Sequence, residues 1–264
     1  MTTTKPGTVG DFSEQWTSYF DNSGYFGSEE LLADVLAPLL TLDALNGCTV
    51  AEIGCGNGRF LKSLAAHAAT VIGIEPGDSV ENARRYSENL KNVEVIRADV
   101  YALPKVAPLD HVFSIGVVHH LPDPAHALQI MRGLLKPGGR CTIWVYGHEG
   151  NELYLATFGT FRKVTTRIPH AALHAVATSL VPALRGYIAA CRVLPLPMHA
   201  YMRRVLSPLD FASLRMNIYD QLNPTIACYW THDEVRTLME GAGFTDVQLR
   251  HRHGYSWMAT GVAR

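Results

Sequence analysis

An apolar, strand-like run that ends in alternating glycines constrains the fold of this chain more than any other feature. Thr49-Val-Ala-Glu-Ile53 is followed by Gly54, Gly56 and Gly58. Glycine allows a positive φ and lets a bound molecule approach the backbone with no Cβ atom in the way. A helical pattern follows at once over residues 57–66. The segment therefore predicts a strand–loop–helix unit that holds a ligand at the carboxyl end of the strand.

Strand-like and helix-like patterns alternate beyond this loop. Alternation of this kind, with strands that are almost continuously apolar, indicates parallel strands covered by helices on both faces. The further strands are predicted at residues 70–75, 93–98, 109–115 and 139–146, and the helices between them at 79–90 and 124–135.

Regular structure is also predicted near the C-terminus. Thr231 and Glu234 form a capping-box pattern that opens a helix. Two strands, at 245–251 and 255–263, then surround Gly254 and read as a hairpin at the sheet edge. We therefore expect an α/β fold: a doubly wound, mostly parallel seven-stranded sheet with a C-terminal antiparallel hairpin and a helical lid insertion.

The same patterns divide the chain into four parts. The third part, residues 151–228, is rich in Leu, Ala and Pro, which predicts several short helices rather than one long helix. The parts are an N-terminal helical cap (1–45), a Rossmann-like cofactor-binding core (46–150), a helical lid or substrate insertion (151–228) and a helix with two strands that complete the core sheet (229–264).

Composition argues against several classes of protein. The formal net charge of −1 gives no overall reason to expect a nucleic-acid partner. The five cysteines include no Cys-x-x-Cys pair, which disfavours a disulfide framework and a zinc ribbon and predicts a reducing, cytoplasmic compartment. The polar N-terminus lacks a signal-peptide core, and the apolar stretch at 171–184 is too short to span a bilayer. No group of residues has a credible metal-binding spacing, so we expect no metal.

Two cofactors and one ligand-free alternative fit a glycine loop of this kind. A dinucleotide fingerprint places a small residue where Arg59 stands, which disfavours NAD(P). A tight strand–helix turn with no ligand is the plain structural alternative. Glu75, at the end of the second strand, suits the ribose hydroxyls of either cofactor, because a carboxylate accepts two hydrogen bonds.

Four ordered motifs decide between these cofactors. They are the glycine loop with Glu52 before it, Ala98-Asp99-Val100 after the third strand, the fourth-strand segment 110–124 and the Lys136-Pro-Gly-Gly139 turn. Together they resemble class I methyltransferases that use S-adenosylmethionine (SAM), in particular the small-molecule enzymes of ubiquinone and menaquinone biosynthesis. The resemblance is weakest over residues 150–228.

The resemblance implies a role for each motif residue. It places Glu75 and Pro76 at the cofactor ribose, Asp99 and Val100 at the adenine, and Gly116 and Val117 beside the sulfonium. Trp16 and Tyr19 would cover the site from the N-terminal helix, although burial against the sheet explains them equally well. The methionine part would lie among Glu52, Gly54, Cys55, Gly56, Asn57 and Gly58.

The residues that would act on the acceptor are less sharply defined. His119 and His120 are candidates for proton transfer because histidine titrates near neutrality, and packing beside the cofactor is the alternative. Candidates for the substrate wall are Tyr146, His148, Arg203, Arg204, Tyr219 and Tyr229.

The insertion differs from the rest of the chain in charge. Residues 153–216 contain eight Lys or Arg residues and one acidic residue. Arginines in an apolar lid suit an acidic, partly hydrophobic small molecule. The alternatives are that these arginines face water, pair with the acidic sheet domain, or contact an anionic membrane surface. The sequence therefore predicts a SAM-dependent methyltransferase of small molecules, with a non-catalytic SAM-binding scaffold and an NAD(P)-dependent oxidoreductase as alternatives.

Overall fold

A computed structural model describes residues 8–18, 22, 24–156, 165 and 168–264. Seven strands form one sheet, in the order β3-β2-β1-β4-β5-β7-β6. Their bounds are β1 Thr49–Ile53, β2 Thr70–Glu75, β3 Val93–Arg97, β4 Leu109–Ile115, β5 Leu135–Tyr146, β6 Phe244–Arg252 and β7 Ser256–Ala263.

Helices cover the sheet and build the lid. Those of the cap and core are α1 Thr8–Ser18, α2 Glu29–Leu36, α3 Leu61–His67, α4 Val80–Ser87 and α5 Pro124–Gly133. The lid contributes α6 His170–Ala190, the short α7 His199–Tyr201 with the π-helical turn Met202–Leu206, and α8 Phe211–Leu222; α9 His232–Gly241 then returns to the sheet.

The strand order creates a crevice at the centre of the sheet. β1 pairs in parallel with both β2 and β4, so the chain winds outward from β1 to β3 and then returns to β4 on the other side. β4 pairs in parallel with β5, whereas β7 runs antiparallel to both β5 and β6. Ligands of doubly wound sheets bind at the point where the strand order reverses. The carboxyl ends of β1 and β4 therefore border the expected site, and the predicted fold class is confirmed.

Alternating side chains of the central strands fill two cores. Ala51 and Val112 face the core that α5 and α9 cover, and Val50 and Phe113 face the core that α2 and α3 cover. Side chains on a strand alternate between the two faces of its sheet, so each strand contributes to both cores.

Two predicted elements begin about four residues away from their expected starts. The helix after the glycine loop, α3, begins at Leu61 rather than at residue 57, because Gly56 and Gly58 adopt positive φ angles that a helix excludes. β5 begins at Leu135 rather than at residue 139, and its pairing with β4 is interrupted by a register shift.

The lid contains one long helix where short helices were expected. α6 has 21 residues and includes Pro182. A proline inside a helix removes one backbone hydrogen bond and normally kinks or ends the helix. Leu173, Ala177 and Val181 follow one another at helical spacing and are buried in the lid, so tertiary packing stabilises the helix through the proline. Among the residues described, no helix has both the length and the apolarity needed to cross a membrane.

Candidate functional site

The glycine loop after β1 has the backbone that its sequence predicts. Gly54, Gly56 and Gly58 have φ angles of 74°, 58° and 83°. A Cβ atom on Gly54 would lie 2.5 Å from Cγ2 of Val117, at the end of β4. Any side chain at position 54 would therefore push apart the two strand ends that border the crevice.

Glu75 joins this loop to the end of β2. Its Oε2 atom accepts a hydrogen bond from the backbone N–H of Gly56, and its Oε1 atom accepts one from Gly77, both at 2.9 Å. Burial raises the pKa of Glu75, while these two N–H donors lower it. A carboxylate group has about four acceptor sites, so Glu75 retains capacity for a ribose hydroxyl besides these donors.

Glu52 is a buried acid at the carboxyl end of β1. Its Oε2 atom has no hydrogen-bond partner within the described ranges. Burial raises its pKa to about 8, an effect that Arg59 opposes and Glu75 strengthens. A buried carboxyl group that lacks a partner fits a cationic ligand group, and the methionine part of SAM carries an ammonium group. The loop glycines and both acids therefore fit this cofactor.

Helix α1 lies over the loop. A Cβ atom on Gly56 would lie 3.3 Å from the Trp16 ring, which places the indole directly on the loop backbone. The Ser13 hydroxyl accepts a hydrogen bond from the Asp78 N–H at 2.8 Å, and Asn82 donates to the Trp16 carbonyl at 3.2 Å. Trp16 thus packs on the glycine loop. Tyr19 lies outside the described residues.

The remaining predicted cofactor residues lie around the same strand ends. Asp99 caps a short 3₁₀ turn, accepting a hydrogen bond from the Tyr101 N–H at 2.9 Å, and Val100 is buried beneath it. Cys55 and Asn57 are buried in the loop, and Pro76 follows β2. The Asn57 carbonyl accepts a hydrogen bond from Asn22 at 3.1 Å.

A cavity of about 510 Å³ lies between these strand ends and the lid. Ile115, Gly116, Trp144 and Tyr146 form its floor, and side chains of α1, α6 and α8 form its walls. Most of the lining is aromatic or aliphatic. In the part of the chain that the structure describes, the charged residues that line it are Arg59, Asp220 and Arg252.

Arg59 provides the cavity with a cation held among aromatic rings. Its guanidinium carbon lies 4.3 Å from the centre of the Phe60 ring and 4.5 Å from that of Phe26. Burial lowers its pKa to about 10, and Glu52 opposes the shift, so the group is charged at neutral pH. Arg252 differs, because its Nε atom donates to Asp34 at 3.0 Å and its charge is paired.

Asp220 and Tyr146 form a hydrogen-bonded pair at the cavity wall. The Tyr146 hydroxyl donates to Asp220 Oδ2 at 2.7 Å, and Gln15 donates to Oδ1 at 2.9 Å. Burial raises the pKa of Tyr146 far above its usual value, so the phenol keeps its proton. Sequence reasoning named Tyr146 but missed Arg59 and Asp220 as cavity residues, and missed Gln15 as a partner of Asp220. The one available signal was that Asp220 is the single acid of an otherwise apolar and amide-rich helix, α8.

The predicted catalytic histidines lie behind the cavity wall. His119 packs on Tyr146 with ring centres 4.0 Å apart, and His120 Nδ1 lies 2.6 Å from the Ile226 carbonyl oxygen. Both rings are buried, and neither belongs to the cavity lining.

Of the other predicted wall residues, Tyr229 reaches the cavity. It stacks on Tyr146 with ring centres 5.1 Å apart. Tyr219 is buried inside the lid beside His174, whereas His148, Arg203 and Arg204 are exposed and lie outside the cavity lining. Within the described ranges, no cluster of three or more His, Cys, Asp or Glu residues is arranged to hold a metal ion.

Comparisons with known proteins agree with this geometry. Residues 51–143 match the family model described as a methyltransferase domain. The chain is 33% identical over 116 residues to a tRNA U34 carboxymethyltransferase of Pseudoalteromonas translucida, covering 42% of this chain and 36% of that protein. It is 26% identical over 154 residues to a ubiquinone biosynthesis O-methyltransferase of Hydrogenovibrio crunogenus, covering 56% and 62%. The chain thus spans less than two thirds of these curated relatives.

A solved structure extends the likeness of fold over nearly the whole chain. Magnesium protoporphyrin IX methyltransferase from Synechocystis, solved with bound S-adenosylhomocysteine (SAH), superposes with a TM-score of 0.57. The match covers 95% of this chain and 94% of that one at 14% identity, so it shows the fold alone.

The raised pKa of Glu52 predicts that cofactor binding releases a proton. Its value of about 8 lies above the ordinary 4.5, so the Glu52 carboxyl group holds its proton at neutral pH before a cofactor binds. An ammonium ligand favours the carboxylate form, so SAH binding should strengthen by up to about tenfold per pH unit as the pH rises toward 8. Titration calorimetry near pH 7, in two buffers with different ionisation enthalpies, should count about one proton released.

Glu52→Gln should bind SAH more weakly and release no proton, whereas the exposed control Glu94→Gln should behave like the parent protein. Proton release that persists in Glu52→Gln would show that another group titrates.

Proposed function

We propose that this chain transfers a methyl group from SAM to a small, partly hydrophobic and acidic acceptor; the match of residues 51–143 to the methyltransferase-domain family supports the methyl transfer. The cavity beside Gly116 carries the proposal. Its volume and its mainly apolar lining suit a small organic molecule, whereas an RNA acceptor would be favoured by an open basic surface. The cysteines, all free, support work in a reducing, cytoplasmic compartment.

The chain's residues have three tasks in this reaction. When bound, SAM supplies a methyl group on a sulfonium, already activated for in-line displacement. Glu52, Glu75 and the glycine loop hold the cofactor, and Gly116 faces the acceptor cavity. The apolar walls align the acceptor and exclude water, and such positioning contributes about 7–11 kcal/mol to lowering a barrier.

Asp220 is the residue that we propose to take the proton of an acceptor hydroxyl or amine. It lines the cavity, and its hydrogen bonds from Tyr146 and Gln15 orient its carboxylate. A general base must lie within hydrogen-bond reach of the acceptor, and His119 and His120 lie one layer farther back. The acceptor then gains the methyl group, its proton passes to Asp220, and SAH leaves.

Arg59 is the residue that we propose to bind the acid group of the acceptor. Guanidinium pairs with carboxylate or phosphate through two parallel hydrogen bonds. Arg59 reaches the cavity without a salt bridge to the other charged lining residues among those described, whereas Arg252 is paired with Asp34.

Cofactor binding is the first test. Calorimetric titration should show micromolar binding of SAH and none of NAD or NADP. Gly56→Arg should abolish SAH binding, because its side chain meets the Trp16 ring at a φ of 58°. Gly133→Arg, where nothing lies within 4 Å of an added Cβ atom, is the matched control and should bind normally. Dinucleotide binding in place of SAH would overturn the proposal, and SAH binding without turnover on any acceptor would favour the scaffold alternative.

Arg59→Gln tests the acidity of the acceptor. We expect the parent enzyme to methylate phenolic and aliphatic carboxylic acids faster than their primary amides, as measured by SAH formation. In Arg59→Gln the ratio of the rate on acids to the rate on amides should fall roughly tenfold or more. Arg59→Lys keeps the charge, so it should retain part of the preference for acids. If Arg59→Gln instead weakens SAH binding and leaves the preference intact, then Arg59 serves the cofactor carboxylate.

Asp220→Asn tests the base. It should lower kcat by about 10²–10⁴ on hydroxyl or amine acceptors and leave the SAH affinity unchanged. Tyr146→Phe should have a smaller effect, and the exposed Asp43→Asn should have none. If His120→Gln lowers kcat more than Asp220→Asn does, then a histidine rather than Asp220 takes the proton.

A further inference from the structure

The outer end of the lid has an unusual charge composition. Residues 168–209 contain four arginines and neither aspartate nor glutamate. All four arginines, Arg185, Arg192, Arg203 and Arg204, are exposed. None of them lines the acceptor cavity. Their charge is therefore directed outward and is not used by the site described above.

These arginines lie at one end of the lid, together with exposed apolar side chains. Arg192 donates to the Ser207 hydroxyl at 2.8 Å, and Arg203 lies one helical turn before Ser207. The Arg185 guanidinium lies 5.9 Å from the centre of the Phe211 ring. We define the lid tip as Arg185, Arg192, Val193, Leu194, Arg203, Arg204 and Phe211.

The apolar members of the lid tip project into solvent. Val193 is 81% exposed, Leu194 52% and Phe211 42%. Their neighbours Cys191, Met202 and Leu206 point inward and fill the lid core. The exposed apolar side chains of the lid tip are therefore not part of that core. Adjacent exposed aliphatic residues within a basic surface mark an interaction site.

The combination of side chains selects the kind of partner. Arginine pairs with phosphate, and short aliphatic side chains gain free energy when they enter the boundary between lipid headgroups and acyl chains. Single-stranded RNA is bound chiefly by stacking on exposed aromatic rings, whereas the most exposed apolar side chains of the lid tip are aliphatic. An anionic leaflet supplies both the phosphates and the apolar layer.

We propose that the lid tip docks this protein on an anionic membrane surface. α6 connects this surface to the cavity, because Leu184 and Tyr187 of the same helix line the cavity from within. Docking would thus bring the lid, and with it the acceptor cavity, next to a lipid phase. The proposal does not depend on methyl transfer, so it is tested by binding alone.

Vesicle sedimentation of the full chain is the experiment. The protein should bind vesicles of phosphatidylcholine and phosphatidylglycerol in equal amounts, and should not bind vesicles of phosphatidylcholine alone. Arg203→Gln with Arg204→Gln should weaken binding by roughly tenfold or more, since each basic residue near an anionic leaflet adds to the affinity. Val193→Ser with Leu194→Ser should weaken it severalfold at unchanged charge.

The control removes the same charge elsewhere. Arg85→Gln with Lys91→Gln, both exposed and remote from the lid in sequence, should bind vesicles like the parent protein. SAH titration confirms that each variant is folded. The proposal is overturned if the parent protein ignores anionic vesicles, or if the control loses as much binding as the lid variants. It is also overturned if the lid variants lose binding to transfer RNA while no form binds vesicles.

Discussion

Two hydrogen bonds to Glu75 hold the site in place. They tie the end of β2 to Gly56 in the glycine loop and to Gly77 before α4. The N–H groups of Gly54 and Cys55 also donate to the Ile74 carbonyl, so the loop is fixed against β2 along its length. Val117 can pack on Gly54, and Trp16 on Gly56, only because this loop is fixed. The Glu75 carboxylate thus fixes the loop on which the end of β4 and helix α1 pack.

The same region concentrates negative charge in a dry environment. Glu52 and Glu75 are both buried, and burial raises the pKa of each; Glu75 raises the pKa of Glu52 further, and Arg59 opposes part of that rise. Burial therefore keeps a proton on Glu52, and a ligand with a cationic amino-acid end would favour the carboxylate form instead. Arg59, held on aromatic rings, lines the mainly apolar cavity. One short segment therefore places residues both in the glycine loop and at the cavity.

The sequence predicted most of the sheet and little of the cavity. Thr70–Glu75 and Leu109–Ile115 were predicted to the residue, because apolar runs bounded by turn residues are local signals. The start of α3 was misplaced, because the positive φ of Gly58 delays the helix. α6 was predicted as shorter pieces, because Pro182 is visible in the sequence and the burial of Leu173 and Val181 is not. His119 and His120 were predicted as candidates for proton transfer, yet both pack against Tyr146, away from the cavity lining. This arrangement depends on how β5 packs beside the turn after β4.

The sequence by itself determined the succession of strands and helices along the chain, the glycine loop and the acids at the ends of β1 and β2, since each depends on neighbouring residues and on the φ angles that they allow. Tertiary structure alone decided which side chains meet at the cavity. Asp220 reaches Tyr146 across 74 positions and Gln15 across 205, and the lid arginines turn outward because its apolar side chains fill the interior. The physical reason is range: backbone preferences and periodicity act over a few residues, whereas contacts between distant segments follow from the packing of the whole chain.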